Sequence, residues 1–357
     1  MQKRIFIWLS LLTFIFTAFV QLNEKALPPL EKLSDYGFFE GKIADQKPVK
    51  GVVPYTLNTP LFTDYAEKLR FVKLPEGQKA VYNEKEVLDF PVGTTIIKTF
   101  YYPLDFRKPE KGRQIIETRL LIHEKAGWRA LVYVWNDEQT DALLDVAGSI
   151  KEVKYTYLDG KKKKHLYGIP NLNQCKGCHN RNEIMSPIGP SARQLSGQLQ
   201  QEALTYSPAS FAGYDPAENQ LNAWSKSGIL EGLPGKLPVA VVWNNAATGS
   251  VEQRAKMWLD INCAHCHRPE GPASTSGLNL SIHNEDPVTY GISKTPVASG
   301  RGSGNLMHDI VPGKPSESIL IYRMESTDPG VMMPEVGRKT VHVEGVALVK
   351  EWILGLK

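Results

Sequence analysis

Cysteine is scarce in this chain. There are four in 357 residues, and every one falls in a tight Cys-x-x-Cys pair, across which a disulfide is rare and strained. Charge of one sign is also lacking. The formal net charge is only +4, and Lys3 and Arg4 supply part of it from the extreme N-terminus. A weak excess of this kind gives no support for nucleic-acid binding and no footprint that would identify a partner by charge. Long apolar runs are absent after Ile5–Val20, so the remainder is expected to be soluble. Residues 50–165 hold no cysteine and no recognisable catalytic constellation. Nothing in the composition points to disorder: 42% of residues are hydrophobic and 22% charged, which permits real cores. The length suggests two or three domains.

What is present is a repeated motif. Cys175-Lys-Gly-Cys178-His179 and Cys263-Ala-His-Cys266-His267 use all the cysteines. Cys-x-x-Cys-His is the attachment site of c-type haem. The spacing puts both thiols on one side of a helical turn, where they add to the porphyrin vinyl groups. The next residue, His, reaches the iron as proximal ligand. Zinc is the competing reading, since paired Cys-x-x-Cys is ribbon grammar, but a ribbon gives no reason for a His after each pair. A thioredoxin-like centre needs one such pair opening a helix, not two. The sequence therefore predicts two covalently bound c-type haems held by Cys175, Cys178, Cys263 and Cys266, with His179 and His267 on iron.

The N-terminus reads as an export signal, residues 1–20. Lys3-Arg4 form its basic part and Ile5–Val20 its apolar part. The cleavage signature after Thr17 is untidy, so an uncleaved anchor stays open. No cysteine follows the leader, so no lipid anchor is expected. Export agrees with haem attachment, which takes place outside the bacterial cytoplasmic membrane.

The predicted fold is multi-domain: an N-terminal all-β domain followed by two mainly α-helical cytochrome c-like haem modules. The β-rich domain is placed at residues 40–165, the first haem module at 166–249 and the second, class I-like, at 250–357. Ile116, Thr118, Leu120 and Ile122 alternate with Glu117, Arg119 and His123, and Glu124–Gly127 turns the chain into a second strand, Trp128–Trp135. This is a hairpin pattern. Lys161–Lys164 reads as an exposed edge strand kept soluble by charge, with electrostatic docking as the alternative. Helices are expected over Ala192–Thr205 and near Gln220–Ile229. Val251, Ala255, Trp258 and Leu259 form one apolar stripe leading into Cys263, and Val346, Val349, Trp352, Ile353 and Leu356 form another.

An electron-transfer haem usually carries a second axial ligand, Met or His. For the second haem the candidate is Met333, held extended by Pro334. Met332 would point the other way, and Met307 and Met324 compete. For the first haem the candidate is Met185, with His165, Met257, His283 and an open iron as alternatives. His265 is read as shielding a haem or bonding a propionate. Arg338 is a candidate propionate partner.

These residues carry a resemblance. Asn262–Pro269, Val311–Pro315, Met333-Pro334 and Glu344–Ile353, with Leu57–Tyr65, Asp89–Gly93 and Pro187–Pro190, resemble a family of exported bacterial dihaem c-type cytochromes with an N-terminal β-rich region. The resemblance covers nearly all of the chain after the leader. It implies haem binding, electron transfer and export, and brings no substrate. The expected function is electron transfer between periplasmic or envelope redox partners, with a donor or acceptor protein, such as a dehydrogenase, docking through the β-domain. The enzyme alternative is a dihaem peroxidase with one open-coordination haem. The third is a β-domain binding module with an attached electron-transfer unit.

Overall fold

The computed structural model describes residues 28–199, 215 and 217–357. The leader and most of the stretch 200–216, including the end of the Ala192–Thr205 helix candidate, lie outside the described residues.

A six-stranded antiparallel sheet organises the chain. Its strands are β1 (Val52–Pro54), β2 (Glu67–Lys73), β4 (Thr95–Pro103), β5 (Arg113–Glu124), β6 (Gly127–Trp135) and β7 (Ala142–Leu144), in spatial order β1-β2-β4-β5-β6-β7. β-branched and aromatic residues dominate β4 and β6, and Ile115, Ile116, Leu120, Leu121 and Ile122 fill β5, as a sheet buried on both faces requires. The hairpin between β5 and β6 closes with Glu124 opposite Gly127. One face packs Leu69, Phe71, Ile97, Leu120, Leu131 and Trp135 under the N-terminal segment, which contributes Leu33 and Phe38. The short β3 (Ala80–Val81) lies outside the main sheet.

The other face was expected to be the polar side of the hairpin. It is covered instead. Residues β8 (Ser149–Thr156) and β9 (Lys162–Ile169) form a separate two-stranded ribbon. Its Val153, Tyr155, Tyr167 and Ile169 pack on Phe100, Tyr102, Ile116 and Val132. Glu117, on the covered face, is fully buried. Lys162, Lys163 and Lys164 are exposed on β9, which pairs only with β8. Lys164 meets Glu152 across that ribbon.

The two mainly α-helical modules are not what the chain builds. The structure is mostly β with short helices. Among the described residues of 166–249 the helices are α1 (Leu172–Cys178), α2 (Ala192–Leu195) and α3 (Gln220–Lys226), of 7, 4 and 7 residues. They are joined by a hairpin of β10 (Asn180–Arg181) with β11 (Ile184–Met185), and by β12 (Leu230–Glu231), which pairs parallel to β3. Ala192, Leu195, Leu221 and Trp224 pack into one core with Val72, Ile96 and Leu121 of the sheet. Among its described residues the segment shows no core apart from the sheet, because helices this short cannot bury enough surface alone. Residues 250–357 hold three helices, α4 (Val251–Asn262), α5 (Ile319–Glu325) and α6 (Val343–Gly355), of 12, 7 and 13 residues. The rest is loop and 3-10 turn.

The two longest helices follow the apolar stripes of the sequence. Ala255, Trp258 and Leu259 of α4 meet Val346, Val349, Trp352 and Ile353 of α6. Ser250 and Gln253 cap α4 reciprocally. Gly345 permits the close crossing: a Cβ there would lie 2.6 Å from the Trp258 ring.

Residues 57–66 interlock the sheet with everything behind it. Asn58 Nδ2 donates to the carbonyls of Arg193 and Ser196. The Phe62 amide donates to Asn262 Oδ1 at the end of α4, 2.8 Å. Buried Asp64 accepts from the amides of Lys339 and Thr340 and from Thr340 Oγ1, at 2.7–2.8 Å. Phe62 also stacks on His342, ring centroids 4.2 Å apart, and Trp258 Nε1 donates to His342 Nδ1 at 3.2 Å.

Two predictions test this interlock. Replacing Asp64 by Ala strands two amides and a hydroxyl, so Asp64→Ala should lose about 3 kcal/mol in urea unfolding; a loss below 0.5 kcal/mol would remove Asp64 from the interlock. Burial holds the His342 imidazole down at about 4, against an ordinary 6.5. The unfolded chain then binds the extra proton, so stability falls as pH drops from about 6.5 towards 4. His342→Phe should flatten that slope in urea melts across the interval.

Candidate functional site

The two motifs sit at the ends of helices whose starts are fixed by capping boxes. Asn171 and Gln174 cap α1 reciprocally, so Cys175 and Cys178 lie within its last turn and His179 at its C-terminus. α4 delivers Cys263 at its own C-terminus, and Cys266 and His267 follow in a tight turn, with both the Cys266 and His267 amides bonded back to the Cys263 carbonyl. No cysteine is in a disulfide.

The imidazoles of both motifs are oriented by their Nδ1 atoms. His179 Nδ1 lies 2.8 Å from the Ser186 carbonyl. A carbonyl only accepts, so Nδ1 carries the proton and Nε2 keeps its lone pair. His267 Nδ1 lies 3.1 Å from Ser276 Oγ. That hydroxyl gives its own proton to the Ala273 carbonyl at 2.7 Å, so it too accepts from His267. Burial pushes both imidazoles down to about 4, which keeps them neutral and able to ligate. This is the outer support that iron-binding histidines need.

The thiols are equally telling. Burial pushes Cys263 and Cys266 up to about 12 and raises Cys175 and Cys178. A redox Cys-x-x-Cys needs the opposite shift, towards the thiolate. Zinc needs converging ligands, and among the described residues no group of three or more His, Cys, Asp or Glu is placed to hold a metal ion.

A cavity of about 670 Å³ adjoins the second motif, within the ordinary cofactor range of about 300–1,000 Å³. Cys263, Cys266 and His267 line it, with Leu280, Ile319 and Met333. This wall is largely apolar and suits a porphyrin face. Cys175, Cys178 and His179 line a narrower cavity of about 120 Å³, below that range on its own, against the covered face of the sheet. An adjoining one of about 610 Å³ shares Cys178, Pro187, Ile188, Gly189, Ile261 and His265 with it. Cys178 and His265 also line the cavity of the second motif, so the two sites have a common partition. Ion pairs fasten it: Glu86 holds Arg268, beside His267, at 2.7 Å and Arg181, beside Asn180, at 2.9 Å.

The candidate distal residues separate. Met333 lines the second cavity, as does Met324. Met332 lines a different one with Gly168 and Ile169, and Met307 is exposed. Met185, on β11, lies elsewhere: it packs against the core that includes Leu88 and Trp128, not against the cavity of Cys175, Cys178 and His179. His165 is engaged with the Tyr102 hydroxyl, 3.1 Å. Met257 is buried in α4 beside Gln194 Nε2, and His283 is exposed.

Arg338, a propionate candidate from sequence, has another task. Its guanidinium donates to the carbonyls of Met333, Thr340, Arg323, Met324 and Ser326, at 2.8–3.2 Å. It is buried and fastens the loop that carries Met333. Ser276 and Glu86 were not singled out by sequence reasoning, because neither type in isolation signals a supporting role.

In comparisons with family models, curated proteins and solved structures, nothing matches this chain.

Arg338→Ala should leave buried carbonyls unmet and lose about 3 kcal/mol or more. Limited proteolysis should then cut within residues 326–340, where the unaltered protein resists; equal resistance would deny Arg338 its hold on the loop.

Proposed function

We propose that this protein is an exported dihaem c-type cytochrome that passes single electrons between envelope redox partners. One arrangement carries the reading: two Cys-x-x-Cys-His motifs, each with its imidazole fixed through Nδ1 and its Nε2 left for iron, facing cavities that share a partition. Each thiol would add across a vinyl C=C, sulfur to one carbon and hydrogen to the other, so attachment needs no oxidant. Bound haem supplies a one-electron iron couple. The chain holds the proximal imidazoles neutral, presents Met333 from a loop tied by Arg338, and keeps the two sites adjacent. Met333 is the proposed distal ligand of the second haem. Membership of the dihaem cytochrome family, and a periplasmic location with the N-terminal segment as signal or tether, belong to the same proposal. Among the described residues no helix is long and apolar enough to cross a membrane. The partner is a redox protein, a dehydrogenase or another envelope component.

A second reading, a dihaem peroxidase, draws on one observation: Met185 does not line the first cavity. An iron without a sixth protein ligand is where peroxide would bind.

A redox-titrated optical and EPR spectrum of the purified protein separates the two. The electron-carrier reading expects low-spin iron at both haems in both redox states. A stable high-spin haem favours the peroxidase. Met333→Ala should remove the Met-to-iron band from one haem only, and an unaltered spectrum would release Met333 from its role.

A further inference from the structure

The covered face of the sheet carries charge where a core would be apolar. Arg70 of β2 pairs directly with Lys98 of β4, and Lys98 with Arg119 of β5. Like charges directly opposite across strands repel and destabilise a sheet. The neighbouring row, Val72, Ile96, Leu121 and Ala130, is apolar, so this is not a solvated charged face. Arg70 is 6% exposed and Lys98 and Arg119 are half-buried. All three line the cavity that also holds Cys175, Cys178 and His179.

We propose that Arg70, Lys98 and Arg119 form a carboxylate-binding wall of the first site, and that they hold the propionates of the haem attached at Cys175 and Cys178. The assignment rests on the haem reading above. The fixed carboxylate on this row, Glu117, is spent on aiming Arg119: Arg119 Nη2 and Nε donate to it at 2.5 and 2.9 Å, and the Tyr167 hydroxyl at 2.6 Å. Arg70 Nη1 is steadied by the Lys68 carbonyl, 3.2 Å. Lys98 Nζ, in the middle of the row, lies 4.9 Å from the Phe100 ring centroid. Burial, with Arg70 and Arg119 on either side, holds its amine well below the usual range, so an ammonium there calls for an anion. Apolar walls beside one cationic edge match a porphyrin, whose two carboxylates lie on one side of an otherwise apolar disc. A planar guanidinium suits a carboxylate in two-point contact.

The test uses the full, haem-loaded protein, with Lys98→Met, Lys98→Arg and, as a remote control, Lys162→Met on exposed β9. In Lys98→Met we expect two porphyrins still bound and both spin states kept. One haem should shift negative by about 59 mV or more, a tenfold change in its reduction equilibrium. Its propionate bending band in resonance Raman should move. Lys98→Arg keeps the charge and the strand, so it should fold even where Lys98→Met does not, and should move that band with little change in potential. Lys162→Met should alter neither. Unmoved propionate bands with two haems bound would overturn the assignment. So would a lost axial ligand in Lys98→Met, which would place the amine on iron. Malonate added to the wild type should change nothing; a shift would assign the wall to a diffusible carboxylate instead. A wild type with no porphyrin at the first motif is a separate failure, that of the haem reading itself.

Discussion

Orientation of two half-buried imidazoles through a single nitrogen is the constraint from which the rest of the structure follows. His179 gives its Nδ1 proton to a backbone carbonyl and His267 gives its own to a serine hydroxyl that is already committed elsewhere. Each such bond is worth only about 1 kcal/mol net, yet it decides the tautomer and therefore which nitrogen keeps a lone pair. Both acceptors come from chain that must turn back after the motif. The β10–β11 hairpin brings Ser186 to His179, and the turns after Cys266 bring Ser276 to His267. These local turns therefore set the tautomer of both imidazoles.

The sheet is the wall against which this is done. One face is an ordinary apolar core. The other is covered by a ribbon, short helices and the interlocking segment 57–66, and its Arg70, Lys98 and Arg119 line the cavity of the first motif. Asp64, Asn58 and Phe62 tie the sheet to α4 and to the loop bearing Met333 and Arg338, so both sites depend on one stretch of chain. Among the described residues of 166–249 the apolar side chains, Trp224 among them, are absorbed into the core of the sheet rather than into a module of their own.

The hairpin over β5 and β6, the stripes of α4 and α6, and both motifs were legible in the sequence, because period and spacing report local geometry directly. The covering of the charged face was not. Glu117 and Arg119 alternate with apolar residues as on any half-exposed strand, and only the distant β8–β9 ribbon and the motif helix make that face an interior. The helical modules were overestimated for a related reason: a haem motif signals a turn of helix, not the amount of helix around it. Proximity in sequence suggested Met185 as a distal ligand and Arg338 as a propionate partner. The hairpin turns Met185 onto the core, and five carbonyls claim Arg338, a convergence no spacing reveals.

The proposed electron carrier requires porphyrin joined by thioether bonds at both cysteine pairs. The direct measurement is the mass of the denatured polypeptide after export in a host competent for cytochrome maturation. Two added haem masses are predicted, falling to one when Cys175 and Cys178 are both changed to Ser, and likewise for Cys263 and Cys266. A denatured chain at its bare polypeptide mass would contradict the account.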